Sequence, residues 1–438
     1  MRNQSEMMEL IADLHLHSKY AGACSERLVL SAMAQTAQAK GIGLIATGDF
    51  THPLWLKEIK STLEGEAGIY TIKGGGPDTK FVIGAEVCTI YRDAGSQSQK
   101  MGMFSTDGSV KKIHHVMLAP DLETAEQVCK ELARYGDVAM DGRPILKMSA
   151  GELVERVMGI NNRNVVFPAH LWTPWFGVLG AFSGLNSIEE AYEDQARHIF
   201  AVDMGLSSDP PMNWRVSKLD RYTLLGTSDA HSLQKMGRKA TIFDISNKLS
   251  YDSLVAAMKG QKIKKTVDFY PEEGKYHYDG HRKCKISFTP SQAKKYNNIC
   301  PVCRKKLTVG VLHRVEELAD RSEGYKPSDR PGFVHMVPLL EIIAHVTKKG
   351  IGTDYVNNAY NLLVKRFGTE FNVLLHADAV EIEETFRGLG KAIENVRSGH
   401  VNVIPGYDGV FGQIDIFRER PYVPKGSGQQ SMSDYIGK

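Results

Sequence analysis

Residues 9 to about 258 alternate short apolar runs with stretches of 3.6-residue periodicity. The runs Leu10–His17, Gly43–Asp49, Phe81–Ile90, Val116–Ala119, Val165–His170, Phe200–Asp203 and Thr223–Ser228 predict strands. Leu28–Lys40, Leu122–Tyr135 and Ser149–Met158 predict helices between them. Ser149 with Glu152, and Ser187 with Glu190, have the spacing of a capping box. This alternation predicts an α/β fold, with a barrel favoured over an open sheet. No G-x-G-x-x-G or P-loop sequence follows a predicted strand, which argues against dinucleotide and nucleoside-triphosphate binding. Past Arg314 the pattern turns helical (Leu312–Ala319, Pro338–Lys349, Tyr355–Phe367, Ile382–Ser398) and then reaches a glycine-rich turn, Pro405–Gly412. Residues 74–78 and 93–109 are expected as surface loops, and the tail from Pro424 as a flexible linker.

Composition narrows the class. The chain has 438 residues, 42% hydrophobic and 24% charged, which fits a soluble protein of two or three domains. No apolar run approaches the roughly 18 to 20 residues that a membrane span requires. The first residues, MRNQSEMMELIADLHLH, contain no apolar stretch of a secretory leader, so a cytoplasmic location is expected. Six cysteines are too few for a disulfide scaffold. Three of them cluster late in the chain, which points to metal.

A net charge of +3 gives little reason to expect nucleic acid until it is divided. Lys259–Arg314 holds 14 Lys/Arg against four Asp/Glu, a local balance of +10, which leaves −7 for the remainder. A basic module therefore sits beside an acidic one, and the basic one carries the cysteine cluster.

Of 15 histidines, seven fall in or beside predicted strand ends of the first domain. His15 and His17 are two apart on a strand and so share a face. Asp49 and His52 follow the second strand, Glu86 lies in the third, His114 and His115 introduce the fourth, His170 ends the next, and Asp229 and His231 close the last. Residues at the carboxyl ends of barrel strands meet in one mouth, where this set would hold two or three divalent ions. The apolar run Val116–Leu118 favours His115 over His114 as the inward residue. Asp229 is expected both to ligate and to orient water, with His231, Glu86 and His170 beside it in the reaction; Asp203 is a weaker candidate that would only cap its strand.

His281-x-x-Cys284 and Cys300-x-x-Cys303 give four ligands at zinc-ribbon spacing, a closed structural zinc site. His277 and His313 are rival fourth ligands. Arg282, Lys283, Lys285, Arg304, Lys305 and Lys306 surround these cysteines and would contact phosphates. Trp172, Trp175 and Phe176 follow His170, and Asn213, Trp214 and Arg215 follow the sixth strand; the two groups are candidates for stacking on bases, or else for loop packing.

The order His15-x-His17, Asp49/His52, Glu86, His115, His170, Asp229-x-His231 resembles the polymerase and histidinol phosphatase (PHP) superfamily over about residues 10 to 260. The resemblance implies a distorted α/β barrel with up to three ions, commonly zinc or manganese, magnesium being the alternative. Two features depart from it: Phe50 and Thr51 separate Asp49 from His52, and Ser18–Ser25 lacks a histidine that some members place there. With the cysteine module, and with SSDPPMNWR (207–215), SDAH, HRKC, CPVC and PGYDG (405–409), the chain resembles the endonuclease Q family of DNA-repair nucleases.

That resemblance implies a PHP domain over 1–262, a basic zinc-finger module over 263–314, a helical DNA-binding domain over 315–424 and a tail over 425–438. It implies hydrolysis 5′ to uracil, hypoxanthine, xanthine or an abasic site in DNA, by a monomeric enzyme with no membrane contact. A small-molecule phosphatase and a non-catalytic DNA-binding scaffold are the competing classes. The basic module speaks against the first, and the filled ligand positions against the second. Gln429-x-x-Met432-x-x-Tyr435-Ile436 resembles a sliding-clamp peptide.

Overall fold

The structure is a computed structural model that describes residues 7–92, 110–246 and 248–417. The loop 93–109 and the segment Gln429–Ile436 lie outside the described residues. Among those described, no helix is long and apolar enough to cross a membrane.

An 11-stranded sheet forms the wall of the larger unit. Its main strands are β1 (Met7–Asp13), β2 (Leu44–Ala46), β3 (Lys80–Arg92), β4 (Val110–Ala119) and β5 (Val165–Pro168). A separate parallel pair, β6 (Ala201–Asp203) and β7 (Thr223–Leu225), stands beyond β5. Next come β8 (Ala240–Ser246), β9 (Ile263–Asp268) and β10 (Gly332–His335). β1 pairs parallel with β2 and antiparallel with β8; β2 runs parallel to β3, and β4 is antiparallel to both β3 and β5. The gap between β5 and β8 closes without continuous ladders. Leu171 donates its amide to Asp203 across β5 and β6 (2.8 Å), and the Gly226 amide reaches Thr241 Oγ1 across β7 and β8 (3.0 Å). The result is the expected distorted α/β barrel with a helical region after it. β2 and the middle of β3, buried on both faces, read as apolar runs, while helices such as Leu30–Lys40 and Leu122–Leu132 bury one stripe each on the outside.

Ser149 and Ser187 do cap their helices, accepting from Glu152 N (3.1 Å) and Glu190 N (3.2 Å). Two boundaries differ from the sequence pattern. β9, which that pattern gives to the finger, is a wall strand: it pairs with β8 on one side and β10 on the other, and so ties the C-terminal part to the barrel. The single helix expected over Ile382–Ser398 is two, Ala379–Thr385 and Leu389–Arg397, because Gly388 turns left-handed (φ 88°) between them. The Glu383 carboxylate then accepts the amides of Gly388 (2.7 Å) and Gly390 (3.0 Å).

The glycine-rich turn 405–412 joins two short strands, Asn402–Ile404 and Gln413–Asp415, and clasps the cysteine module. Tyr278 N donates to Gly406 O (2.9 Å) and Gly409 N to Lys275 O (2.8 Å); Asp408 accepts from Arg282 N and Thr308 Oγ1, both at 2.6 Å. A side chain at Gly412 would collide with Glu272 O at 2.3 Å, so glycine is required there.

The C-terminal helices dock on Leu30–Lys40 through a buried ion pair, Lys40 Nζ to Glu370 Oε2 at 2.7 Å. Glu370 also accepts from Leu339 N and Tyr360 Oη, both at 3.0 Å. Removing one partner strands the other charge, so Glu370→Ala should cost about 3 to 5 kcal/mol in urea unfolding. Lys40→Met with Glu370→Leu should cost clearly less than Glu370→Ala alone. Equal losses would show that the ion pair contributes little to the docking.

Candidate metal centre

Asp13 ends β1, and the chain just past it, bridged through Leu16 to Ala230, brings His15 and His17 to the mouth of the barrel. Asp13 is fully buried and binds the amides of Ser228 and Gly237, each at 3.0 Å. It thereby pins the loop that holds Asp229 and His231. Burial pushes its carboxyl up to about 6, against the opposing pull of those hydrogen bonds.

His15 and His17 each have one ring nitrogen fixed by a carboxylate. Asp203 Oδ2 meets His15 Nδ1 at 3.2 Å, and Asp49 Oδ1 meets His17 Nδ1 at 3.0 Å. Ser18 holds the other Asp49 oxygen through its amide (2.5 Å) and hydroxyl (2.7 Å). Both Nε2 atoms therefore face inward, where His17 Nε2 lies 3.2 Å from Glu86 Oε2 and 3.1 Å from Asp229 Oδ1. His15 Nε2 is 3.6 and 3.7 Å from the same two oxygens and has no hydrogen-bond partner.

Register explains the opposite side. In the β3–β4 ladder Glu86 faces Val116 and Cys88 faces His114, so Glu86 and His114 share the interior face. His114 Nδ1 is 2.8 Å from Glu86 Oε1, and His170 Nε2 is 3.2 Å from that oxygen. One carboxylate thus joins two donor sets, His15–His17–Glu86–Asp229 and Glu86–His114–His170, each with all donor atoms within 4.8 Å of one another. Asp49, His170 and Asp229 have positive φ (48°, 29° and 47°), strained backbone of the kind that gathers at functional sites.

Burial disfavours charge on both Glu86 and His15. For Glu86 its neighbours, His114 and Arg143 first, outweigh burial and hold the carboxyl well below its usual range. For His15 the carboxylates Glu86 and Asp203 outweigh it and push the imidazole up to about 10. This pocket calls for positive charge. Two deprotonated carboxylates, imidazoles with fixed tautomers and the unsatisfied His15 Nε2 fit divalent cations.

Several expected residues stand elsewhere. His115 faces the outer side, bound to Tyr192 Oη (2.7 Å) and Thr89 Oγ1 (2.9 Å), so His114 takes the place expected of it. His52 occupies the position before the helix Pro53–Thr62, donates toward Ala139 O (3.0 Å) and stacks on Tyr20, outside both donor sets. Asp49 stands behind His17, whereas His231 lies at the rim with its ring 4.6 Å from that of His17. Asp203, expected only to cap its strand, orients His15 and accepts the strained His170 amide at 2.8 Å. Arg143 escapes the sequence pattern altogether: its Nη1 donates to Glu86 Oε2 at 3.2 Å.

Trp172, Asn213 and Trp214 are core residues. The Trp172 indole donates to Asn213 Oδ1 at 2.8 Å, and Trp214 packs edge-on to Phe333. They are therefore not surfaces on which a base can stack. Trp175 and Arg215 are half-buried, and Arg215 accepts the amides of Asp320 and Arg321 on its carbonyl.

In the cysteine module, His281, Cys284, Cys300 and Cys303 converge within 4.8 Å. Of the rivals, His313 pairs with Asp279 (2.6 Å) and His277 is buried against Tyr278. The module's own buried cluster is only Ile286, Ala293, Cys300 and Leu307, too small to fold unaided, so a bound ion fits the energetics as well as the donors. Arg282, Lys283, Lys285, Arg304, Lys305 and Lys306 are exposed around it.

Barrel wall, two-lobed donor cluster and four-ligand module define a metal-binding α/β-barrel protein with an appended cysteine knuckle. Within that class the chain has the endonuclease Q fold. It superposes with a TM-score of 0.80 and 29% identity on PfuEndoQ of Pyrococcus furiosus, described as a novel lesion-specific endonuclease, over 93% of this chain and 95% of that one. An endonuclease Q complex with a 27-mer duplex substrate, which carries an abasic lesion at the active site, gives 0.81 and 29% over 94% and 98%.

Residues 338–400 match the family described as the MJ0043 C-terminal domain. The uncharacterized Methanocaldococcus jannaschii protein MJ0043 is 32% identical over 249 residues, 56% of this chain but 31% of that protein's length. The uncharacterized Bacillus subtilis protein YqxK is 28% identical over 93% of this chain and all of its own length.

Two measurements check the donor assignments. Asp203→Asn should weaken divalent-ion binding at the barrel about 10- to 100-fold by titration calorimetry, because the His15 ring loses its anchor. Unchanged affinity would remove Asp203 from the site. Cys300→Ser should lose one equivalent of tightly held zinc by elemental analysis; full retention would contradict the four-ligand assignment.

Proposed function

We propose that this protein is a metal-dependent DNA-repair endonuclease that hydrolyses the phosphodiester 5′ to a deaminated base (uracil, hypoxanthine or xanthine) or an abasic site. The observation that carries this reading is the single Glu86 carboxylate shared between two donor sets, in a chain similar to a lesion-specific endonuclease over 93% of its length. Two ions, zinc or manganese, would be held by His15, His17, Glu86 and Asp229 on one side and by Glu86, His114 and His170 on the other. Held there, they supply Lewis-acid charge for phosphoryl oxygens and acidify water.

The chain's own groups supply the rest. Asp203 and Asp49 keep both imidazoles in the tautomer that presents Nε2. Arg143, on the donor cluster and partly exposed, is placed to receive a non-bridging phosphate oxygen. Asp229 and His231 form the open rim, with side chains 24% and 27% exposed. Asp229 would orient the attacking water, with His231 beside it against His17, and the leaving oxygen takes its proton from solvent at this open rim. Water adds to phosphorus and the P–O3′ bond breaks, leaving a 3′-hydroxyl and a 5′-phosphate. The exposed lysines and arginines of the cysteine module hold flanking phosphates, contributing affinity rather than lesion choice.

A labelled duplex with one deoxyuridine, deoxyinosine or abasic position, incubated with manganese, should be nicked once, on the 5′ side of the lesion. Asp229→Asn should slow this about a hundredfold or more while DNA binding persists. An undamaged duplex cut equally well, or an active variant, would contradict the reading.

A further inference from the structure

His52 belongs to neither donor set, yet it is buried against the turn 137–143 and holds Ala139 O at 3.0 Å. The rest of that turn is tied as closely. Gly142 N donates to Tyr20 O (2.9 Å), the residue whose ring stacks on His52. Asp137 accepts the Ala139 amide (2.9 Å), and Asp141 accepts the amides of Arg143 (2.9 Å) and Gly22 (3.2 Å). Val138 is buried in the core. The turn so fixed carries Met140, which is 85% exposed, the most of any large apolar side chain among the described residues.

Isolated apolar residues are ordinary on a protein surface. Met140 differs because its backbone is held, so the side chain is presented to solvent instead of folding back. The turn also lies on the metal centre. A β-carbon at Gly142 would meet Asp49 Oδ2 at 2.6 Å, and Arg143 Nη1 reaches Glu86 Oε2 at 3.2 Å. The Cα atoms of Met140 and Arg143 are at most about 11 Å apart, roughly three base-pair steps. Glu86, His15 and His17 are buried, so a strand that brings a phosphate to them leaves the regular helix and opens a gap in the stack. A slender, polarizable thioether suits that gap, as apolar wedges do at kinked steps.

We propose that Met140 enters the duplex at the lesion and holds the base stack open while the cut strand lies at the metal centre. His52 is then the positioning residue of the wedge. The proposal rests on the nuclease reading and concerns the undamaged helix around the lesion.

The test compares single-turnover nicking by the full chain, with manganese, at deoxyuridine paired with adenine and at deoxyuridine inside a run of three mispaired bases, where the stack is already open. Met140→Ala should slow nicking at the paired site about tenfold or more and at the open site less than threefold. Met140→Leu, still slender and apolar, should stay within about threefold of wild type at both. Equal slowing by Met140→Ala at the two sites, no slowing at the paired site, or a Met140→Leu variant as slow as Met140→Ala overturns the wedge. Wild-type nicking at only one of the two sites overturns the wedge and leaves the nuclease reading standing. Nicking at neither overturns both.

Discussion

A carboxylate with no exposed surface can stay ionised only if cations or strong donors surround it. Glu86 is that carboxylate, and much of the architecture serves its two oxygens. Oε2 faces His17, His15 and Arg143, while Oε1 faces His114 and His170. Register in the β3–β4 ladder puts His114 on its face, alternation in the segment just past β1 brings two histidines together, and Asp229 and His170 adopt left-handed backbone. The carboxylates Asp203 and Asp49 stand one layer out and fix the rings rather than adding charge to the centre.

The surrounding parts are coupled to this centre rather than appended to it. β9 lies between a barrel strand and a strand of the C-terminal region. Buried Lys239, 2.9 Å from Asp268 on β9, donates to Gly205 O (2.7 Å) and Ser208 O (2.9 Å), just past Asp203. The turn 405–412 clamps the cysteine module, whose exposed cations contribute to the local balance of +10 over 259–314. A chain of +3 overall thus presents a basic surface next to an acidic pocket that metal ions would neutralise.

The strand-helix alternation, the paired His15/His17 and Asp229/His231, and the four ligands of the cysteine module were all legible as patterns, because spacing alone dictates which side chains converge. Parity in β4 was not. Every residue from Val110 to Ala119 is buried, so hydrophobicity does not separate the inner face from the outer, and the choice fell on His115 instead of His114. Asp13 lay two residues before His15 in the same alternation and could have been found there. Arg143 sits in a loop without periodicity, and only the fold brings it to Glu86. Trp172 and Trp214 were open in the sequence between base stacking and packing, and the fold decides for packing: one indole is engaged by Asn213 and the other packs on Phe333.

The central claim is that one carboxylate joins two metal positions. Electron paramagnetic resonance of the full chain loaded with two equivalents of Mn(II) tests it most directly. Exchange-coupled spectra in the wild type, replaced by signals of isolated ions in Glu86→Gln, are the predicted result. Isolated-ion signals in the wild type at full loading would contradict it.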